Sequence, residues 1–129
     1  MNRKILLIED NEQNRYLVTF LLEARGWEIV HAEDGPAGLA LADRIDPALV
    51  LLDIQLPGMD GYAVARALRA NPKFDAVPVV AVTSYAMAGD RERCFQSGCN
   101  GYLEKPIDPE AFGVAVETFL KVGHGGEKP

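Results

Sequence analysis

The chain has 129 residues, 48 % of them hydrophobic, and 13 basic against 19 acidic side chains, for a formal net charge of −6. That length holds one domain with a real core. The acidic balance argues against an electrostatic grip on nucleic acid, and no apolar segment approaches a membrane span or a secretory leader. Cys94 and Cys99 have no second Cys or His pair beside them, so zinc spacing is absent and reduced thiols in a cytoplasmic protein are expected.

In chain order, the apolar run at 4–8 (KILLI) predicts a first strand that exits into Glu9 and Asp10. Asn11 is placed to cap the helix that follows, with Leu17, Val18, Leu21 and Leu22 inward and Gly26 at its stop. A second strand at 28–32 (EIVHA) leads to Asp34-Gly35-Pro36, where Pro36 sits in a helix's first turn and its missing N–H costs nothing. The third strand, 48–52 (ALVLL), is continuously apolar, as a strand covered on both faces should be, and it exits at Asp53. Asp60 is expected to cap a third helix that turns Val64, Ala65 and Leu68 inward. A fourth strand at 77–82 exits into Thr83 and Ser84, and Asp90 is expected to cap a short helix halted by Gly98. A fifth strand at 101–104 (GYLE) delivers Lys105, and Asp108-Pro109-Glu110 predicts a last helix burying Phe112, Val116, Phe119 and Leu120. After Val122 the segment GHGGEKP has nothing to bury, so residues 1–122 form the domain and 123–129 a flexible tail. His31 and His124 are not placed for catalysis.

Strands alternating with helices predict a parallel α/β sheet, and in such a sheet the strand ends share one rim. Singly, Asp53 starts a turn, Thr83-Ser84 makes another, and Lys105 is a solvated charge. Together, Glu9, Asp10, Asp53, Thr83 and Lys105 converge. Crowded carboxylates call for a cation, and an all-oxygen ligand set with room for water suits magnesium. A hard divalent ion beside an ammonium and a hydroxyl is a cradle for a phosphoryl group, with Asp53 as the nucleophile.

The motifs ILLIEDN, LVLLDIQLPGMDGY, VPVVAVTSYAM and GYLEKPID resemble those of the receiver domains of two-component response regulators, over nearly the whole chain. The resemblance implies a flavodoxin-like three-layer sandwich whose five-stranded parallel sheet has the order 2-1-3-4-5, with five helices. It implies that Asp53 accepts a phosphoryl group from a histidine kinase or histidine phosphotransfer protein. Magnesium would be held by Asp10 and Asp53, by Glu9 directly or through water, and by the backbone carbonyl of Gln55. Lys105 would hold a phosphoryl oxygen, Thr83 would bond the phosphoryl group on activation, and Tyr102 would rotate inward behind it. The Lys105–Pro106 bond would be cis, and the signal would be read by a protein target on the face of the fourth helix, fifth strand and fifth helix. Arg91, Arg93, Phe95 and Tyr102 would lie there. Glu9 departs from the commoner Asp at the first acidic position, and Gln55 and Tyr85 stand where they would tune phosphoryl lifetime.

The stretch 86–108 also resembles DivK-like single-domain regulators and the receivers of hybrid kinases; the simpler expectation is a stand-alone receiver, monomeric or weakly dimeric. Two other classes share parts of the pattern: an aspartyl-phosphate phosphatase and a receiver-like interaction module that is not phosphorylated. Haloacid-dehalogenase-type phosphatases place a second Asp two residues after the first, where this chain has Gln55. A flavin or nucleotide module wants a Gly-rich first loop, where this chain has Glu9-Asp10-Asn11-Glu12.

Overall fold

A computed structural model describes residues 2–84 and 89–122, with side-chain environments to residue 120. The expected tail at 123–129 and Tyr85 lie outside the described residues. Strands β1 (Lys4–Ile8), β2 (Glu28–Ala32), β3 (Leu49–Asp53), β4 (Val79–Thr83) and β5 (Gly101–Glu104) pair in parallel, in the order β2-β1-β3-β4-β5. Helices α1 (Glu12–Glu23), α2 (Gly35–Ile45), α3 (Gly61–Arg69), α4 (Asp90–Gln96) and α5 (Phe112–Val122) alternate with them, and a 3₁₀ turn, Pro72–Phe74, precedes β4. This is the flavodoxin-like arrangement expected, with its switch point between β1 and β3.

The period-2 alternation of strand side chains sorts the core into two layers. Leu6, Ile8, Val50, Leu52, Val79 and Ala81 pack with Ala42 of α2 and with Val64, Ala65 and Leu68 of α3. Ile5, Leu7, Leu49, Leu51, Val80 and Val82 pack with Val18 and Leu22 of α1 and with Phe112 and Val116 of α5. Both faces of the central strands are covered, which is why their sequences are unbroken apolar runs; each fully buried Val or Leu contributes about 1.5–3 kcal/mol.

The caps at Asn11, Asp34 and Asp60 form as expected: each side chain accepts the backbone N–H three residues on, from Asn14, Ala37 and Ala63. Asp90 does not cap α4. Gly89 holds that position without a side-chain bond, and Asp90 is the first helical residue, its Oδ1 accepting from the Tyr62 hydroxyl of α3 at 3.4 Å. A carboxylate one position inside the helix still favours the N-terminal dipole.

Asp108 organises the opening turn before α5, its Oδ1 accepting from the Glu110 N–H at 3.0 Å and its carbonyl from the Phe112 N–H at 2.9 Å, but the regular helix begins only at Phe112. Phe112 and Val116 are buried, whereas Phe119 and Leu120 are partly buried at the edge of the core.

Two strands are displaced from their expected bounds. Pro78 has no N–H to give a ladder and Val77 is held in a turn by Phe74, so β4 starts at Val79. It runs on to include Thr83, as β3 runs on to include Asp53. Both residues are therefore strand termini rather than the first residues of loops. Among the described residues, no helix is long and apolar enough to cross a membrane.

Candidate functional site

Four strand ends meet at one rim. Asp53 is fixed by the β3–β4 ladder, with the Ile54 N–H bonded to the Val82 carbonyl at 3.1 Å, and its carboxylate is 4 % exposed. The loop after it folds back tightly: the Gly61 N–H donates to the Ile54 carbonyl at 2.9 Å, and a Cβ at Gly61 would come within 2.7 Å of the Asp53 carbonyl oxygen. Only glycine fits that approach.

Glu9 leaves β1 with its own N–H on the Ala32 carbonyl, and it is 3 % exposed. Its Oε2 accepts from the Asn11 N–H at 3.2 Å, and its carbonyl accepts from Arg15 Nη1 at 2.9 Å, so the first turn of α1 holds it from two sides. Asp10, the next residue, is exposed. Carboxylate oxygens of Glu9, Asp10 and Asp53 lie within 4.8 Å of one another.

Lys105 is brought in by the β4–β5 ladder, where its N–H donates to the Thr83 carbonyl at 2.8 Å. Its ammonium is 3.0 Å from Glu9 Oε1 and 3.5 Å from Asp53 Oδ2, with only 11 % of the side chain exposed. Among the described residues, Lys105 thus pairs with two of the three clustered carboxylates, Glu9 and Asp53. At Asp53, burial first, then the neighbouring Glu9 carboxylate, push the carboxyl up to about 7, against the opposing pulls of the Gln55 N–H and Lys105. A hard divalent cation would reverse that penalty, and an all-oxygen, partly open donor set fits magnesium.

The other expected residues are placed as follows. Thr83 is 2 % exposed at the end of β4, on the same alternation series as Val79 and Ala81. Tyr102 of β5 is partly buried against the α3/α4-side core. The Lys105–Pro106 bond is cis. The Gln55 N–H donates to Asp53 Oδ1 at 3.0 Å, and its side chain, for which no contact was expected, accepts from the Ser84 backbone N–H at 3.3 Å. Of the α4 residues, Arg91 lies 5.6 Å over Phe95, and Arg93 lies 4.1 Å over the Tyr62 ring.

Sequence reasoning also passed over α1, where Tyr16 and Phe20 stack outward at 73 % and 61 % exposure beside a concavity lined by Glu12, Arg15, Thr19 and His31. Their spacing of four residues was the available signal.

The family model of the response regulator receiver domain matches residues 5–117. The chain is a response regulator receiver domain. It is 39 % identical over 120 residues to the polar-differentiation response regulator DivK of Brucella ovis, covering 93 % of this chain and 98 % of that protein. It also resembles the solved receiver domain of the sensor histidine kinase PA1611 from Pseudomonas aeruginosa, which has a magnesium ion coordinated in its active site cleft: 33 % identity, TM-score 0.85, covering 94 % and 99 % of the two chains. The chemotaxis protein CheY4 of Vibrio cholerae shares the fold at TM-score 0.87 and 24 % identity, over 92 % and 98 %. The receiver domain therefore belongs to phosphorelay signalling, in a class of phosphoacceptor switches rather than enzymes. Its acidic cluster of Glu9, Asp10 and Asp53 could hold a metal ion.

Proposed function

We propose that Asp53 is the phosphoacceptor of this receiver domain and that the rim around it works as a magnesium-dependent switch. The observation that carries this reading is a carboxylate almost fully buried at a strand end, with two further carboxylates on one side and an ammonium 3.5 Å away on the other. An ionised Asp53 oxygen attacks the phosphorus of a phosphohistidine on a histidine kinase or histidine phosphotransfer protein. The new O–P bond forms as the N–P bond breaks, and the departing imidazole takes up a proton. Glu9, Asp10, the Asp53 carboxylate and the Gln55 carbonyl would hold magnesium, which when bound supplies charge neutralisation to the acids and to the phosphoryl oxygens. Lys105 is close enough to Asp53 to bond a phosphoryl oxygen, and Thr83 supplies a hydroxyl on the neighbouring strand.

The switch is a population shift: bonds from Thr83 and Lys105 that exist only with the phosphoryl group present favour a second packing of β4, Tyr102 and α4. Output is read by a protein target on the face of α4, β5 and α5, where Phe95 is 40 % exposed and Val114 56 %. The receiver unit spans 1–122, acts in the cytoplasm without nucleic acid or membrane contact, and is a monomer or weak dimer. Self-dephosphorylation is slow because Gln55, and not an acid, stands two residues beyond Asp53.

Intact mass after incubation with phosphoramidate tests the assignment. A single phosphoryl adduct is expected with magnesium, none after chelation, and none in Asp53→Asn. An unmodified native protein in saturating magnesium would instead favour the unphosphorylated interaction module, and rapid multiple turnover of the donor would favour a phosphatase.

A further inference from the structure

Asp10 is the exposed member of the acidic cluster, so packing does little to aim its carboxylate. Its direction follows from the peptide that joins it to Glu9. Arg15 holds that peptide: one turn into α1, with its N–H on the Asn11 carbonyl at 3.0 Å, it reaches back toward the helix N-terminus and donates from Nη1 to the Glu9 carbonyl at 2.9 Å. The Arg15 side chain is 13 % exposed, whereas Glu33, 3.7 Å from Nη2, is 73 % exposed and so a weak partner. The Glu9 N–H is bonded to the Ala32 carbonyl at 3.0 Å, and the Asn11 N–H closes the turn on Glu9 Oε2 at 3.2 Å. Glu9 and the peptide after it are therefore gripped by β2, by α1 and by the turn itself.

We infer that Arg15 is a positioning residue for the metal site: its guanidinium, fixed on the Glu9 carbonyl, sets the direction in which the Glu9–Asp10 peptide presents the Asp10 carboxylate beside those of Glu9 and Asp53. The inference rests on the reading of these three acids as magnesium ligands. A peptide is planar, so holding its carbonyl oxygen constrains ψ of Glu9 and φ of Asp10 together, and with them the direction in which the Asp10 side chain leaves the chain. Magnesium tolerates little departure from octahedral geometry, so a loosely aimed ligand pair binds it less tightly. The bond to the carbonyl is charge-assisted, which makes it stronger than a neutral one. Arg15 is also a cation, and a positive charge near an acidic cluster by itself opposes the binding of a second cation. Positioning and charge therefore act on magnesium with opposite signs.

Magnesium titration of the full chain, followed by amide resonances and paired with thermal melts, compares the native protein with Arg15→Met, Arg15→Lys and Glu33→Gln. Arg15→Met is expected to raise the magnesium dissociation constant roughly tenfold. Arg15→Lys, which keeps the charge and can keep one bond to the carbonyl, raises it less. Glu33→Gln, which removes only the exposed ion pair, leaves it within about twofold. The Asp10 amide nitrogen, in the peptide that Arg15 holds, is expected to shift in metal-free Arg15→Met. Arg15→Met protein that melts lower yet binds magnesium as well as the native protein, or more tightly, overturns the positioning role and leaves the three acids as ligands. Weakening by Glu33→Gln as large as that by Arg15→Met overturns it too, because the effect then lies in the ion pair. Native protein that binds no magnesium overturns both readings.

Discussion

At the scale of single residues, the electrostatics of Asp53 make the sharpest claim. Burial and the Glu9 carboxylate push its folded carboxyl up to about 7, whereas an unfolded chain would release the proton near the ordinary value of 3.8. Between those values the folded state holds more protons than the unfolded state. The stability from this group is therefore fully present below about pH 4 and is lost as pH rises through about 7. The metal-free Asp53→Asn protein escapes that loss. Its melting temperature is expected to match the native protein's near pH 4 and to exceed it by about 5 °C at pH 8. Magnesium should close the gap by stabilising the native carboxylates alone. Thermal melts across that pH range, with and without magnesium, check both the sign and its reversal. A variant that melts below the native protein at pH 8 without metal would mean that Lys105 compensates the three carboxylates fully.

At the scale of elements, the end of α4 is held by a side chain that the sequence did not single out. Arg69, at the end of α3, donates to the carbonyls of Gly98 at 2.8 Å, Phe74 at 2.6 Å and Val77 at 2.9 Å, and to Asn100 Oδ1 at 2.6 Å. Asn100 Oδ1 in turn accepts from the Val79 N–H, so one guanidinium fastens α3, the turn before β4 and the turn before β5. Gly98 has φ +111°, and its N–H and that of Cys99 bond back to the carbonyls of Phe95 and Cys94 at 3.0 Å, which is a Schellman stop. The two cysteines are the apolar pair of that motif, and burial pushes the Cys99 thiol up to about 12, so neither is a reactive thiol.

Arg69→Met is expected to cost about 3 kcal/mol in urea unfolding, since several carbonyls lose a charged donor at once. An unchanged midpoint would show that water replaces it without penalty. The sequence made the stop at Gly98 legible, as it did the caps at Asn11, Asp34 and Asp60, because those signals are local. Arg69 was not legible, because three of its four acceptors are backbone carbonyls, up to 29 residues away, that carry no residue-type signature. Asp90 was misjudged for a related reason: its partner is the hydroxyl of Tyr62 on another helix.

At the scale of the whole molecule, the doubly wound sheet turns scattered residues into a site. Glu9, Asp53 and Lys105 are 44 and 52 positions apart in sequence, yet parallel pairing through β1, β3, β4 and β5 aligns their strand ends. The rim was legible because each member stands at the end of a strand or within two residues after it, so topology alone delivers it. What topology could not supply was the pairing within the rim: that Lys105 sits nearer Glu9 than Asp53, and that Gln55 reaches Ser84. Those are rotamer choices set by local packing. The outward aromatic pair of α1 lies off the face that Leu17, Val18, Leu21 and Leu22 turn inward, and its four-residue spacing is what marks it in the sequence.

The central claim is that the phosphoryl group resides on Asp53, and borohydride trapping tests it most directly. Reduction of the phosphorylated protein converts an acyl phosphate to an alcohol, so peptide mass spectrometry should find homoserine at position 53 and aspartate or glutamate unaltered at 9 and 10. Homoserine at position 10, a reduced glutamyl residue at position 9, or no reduced residue in a protein that carries the phosphoryl mass would contradict it.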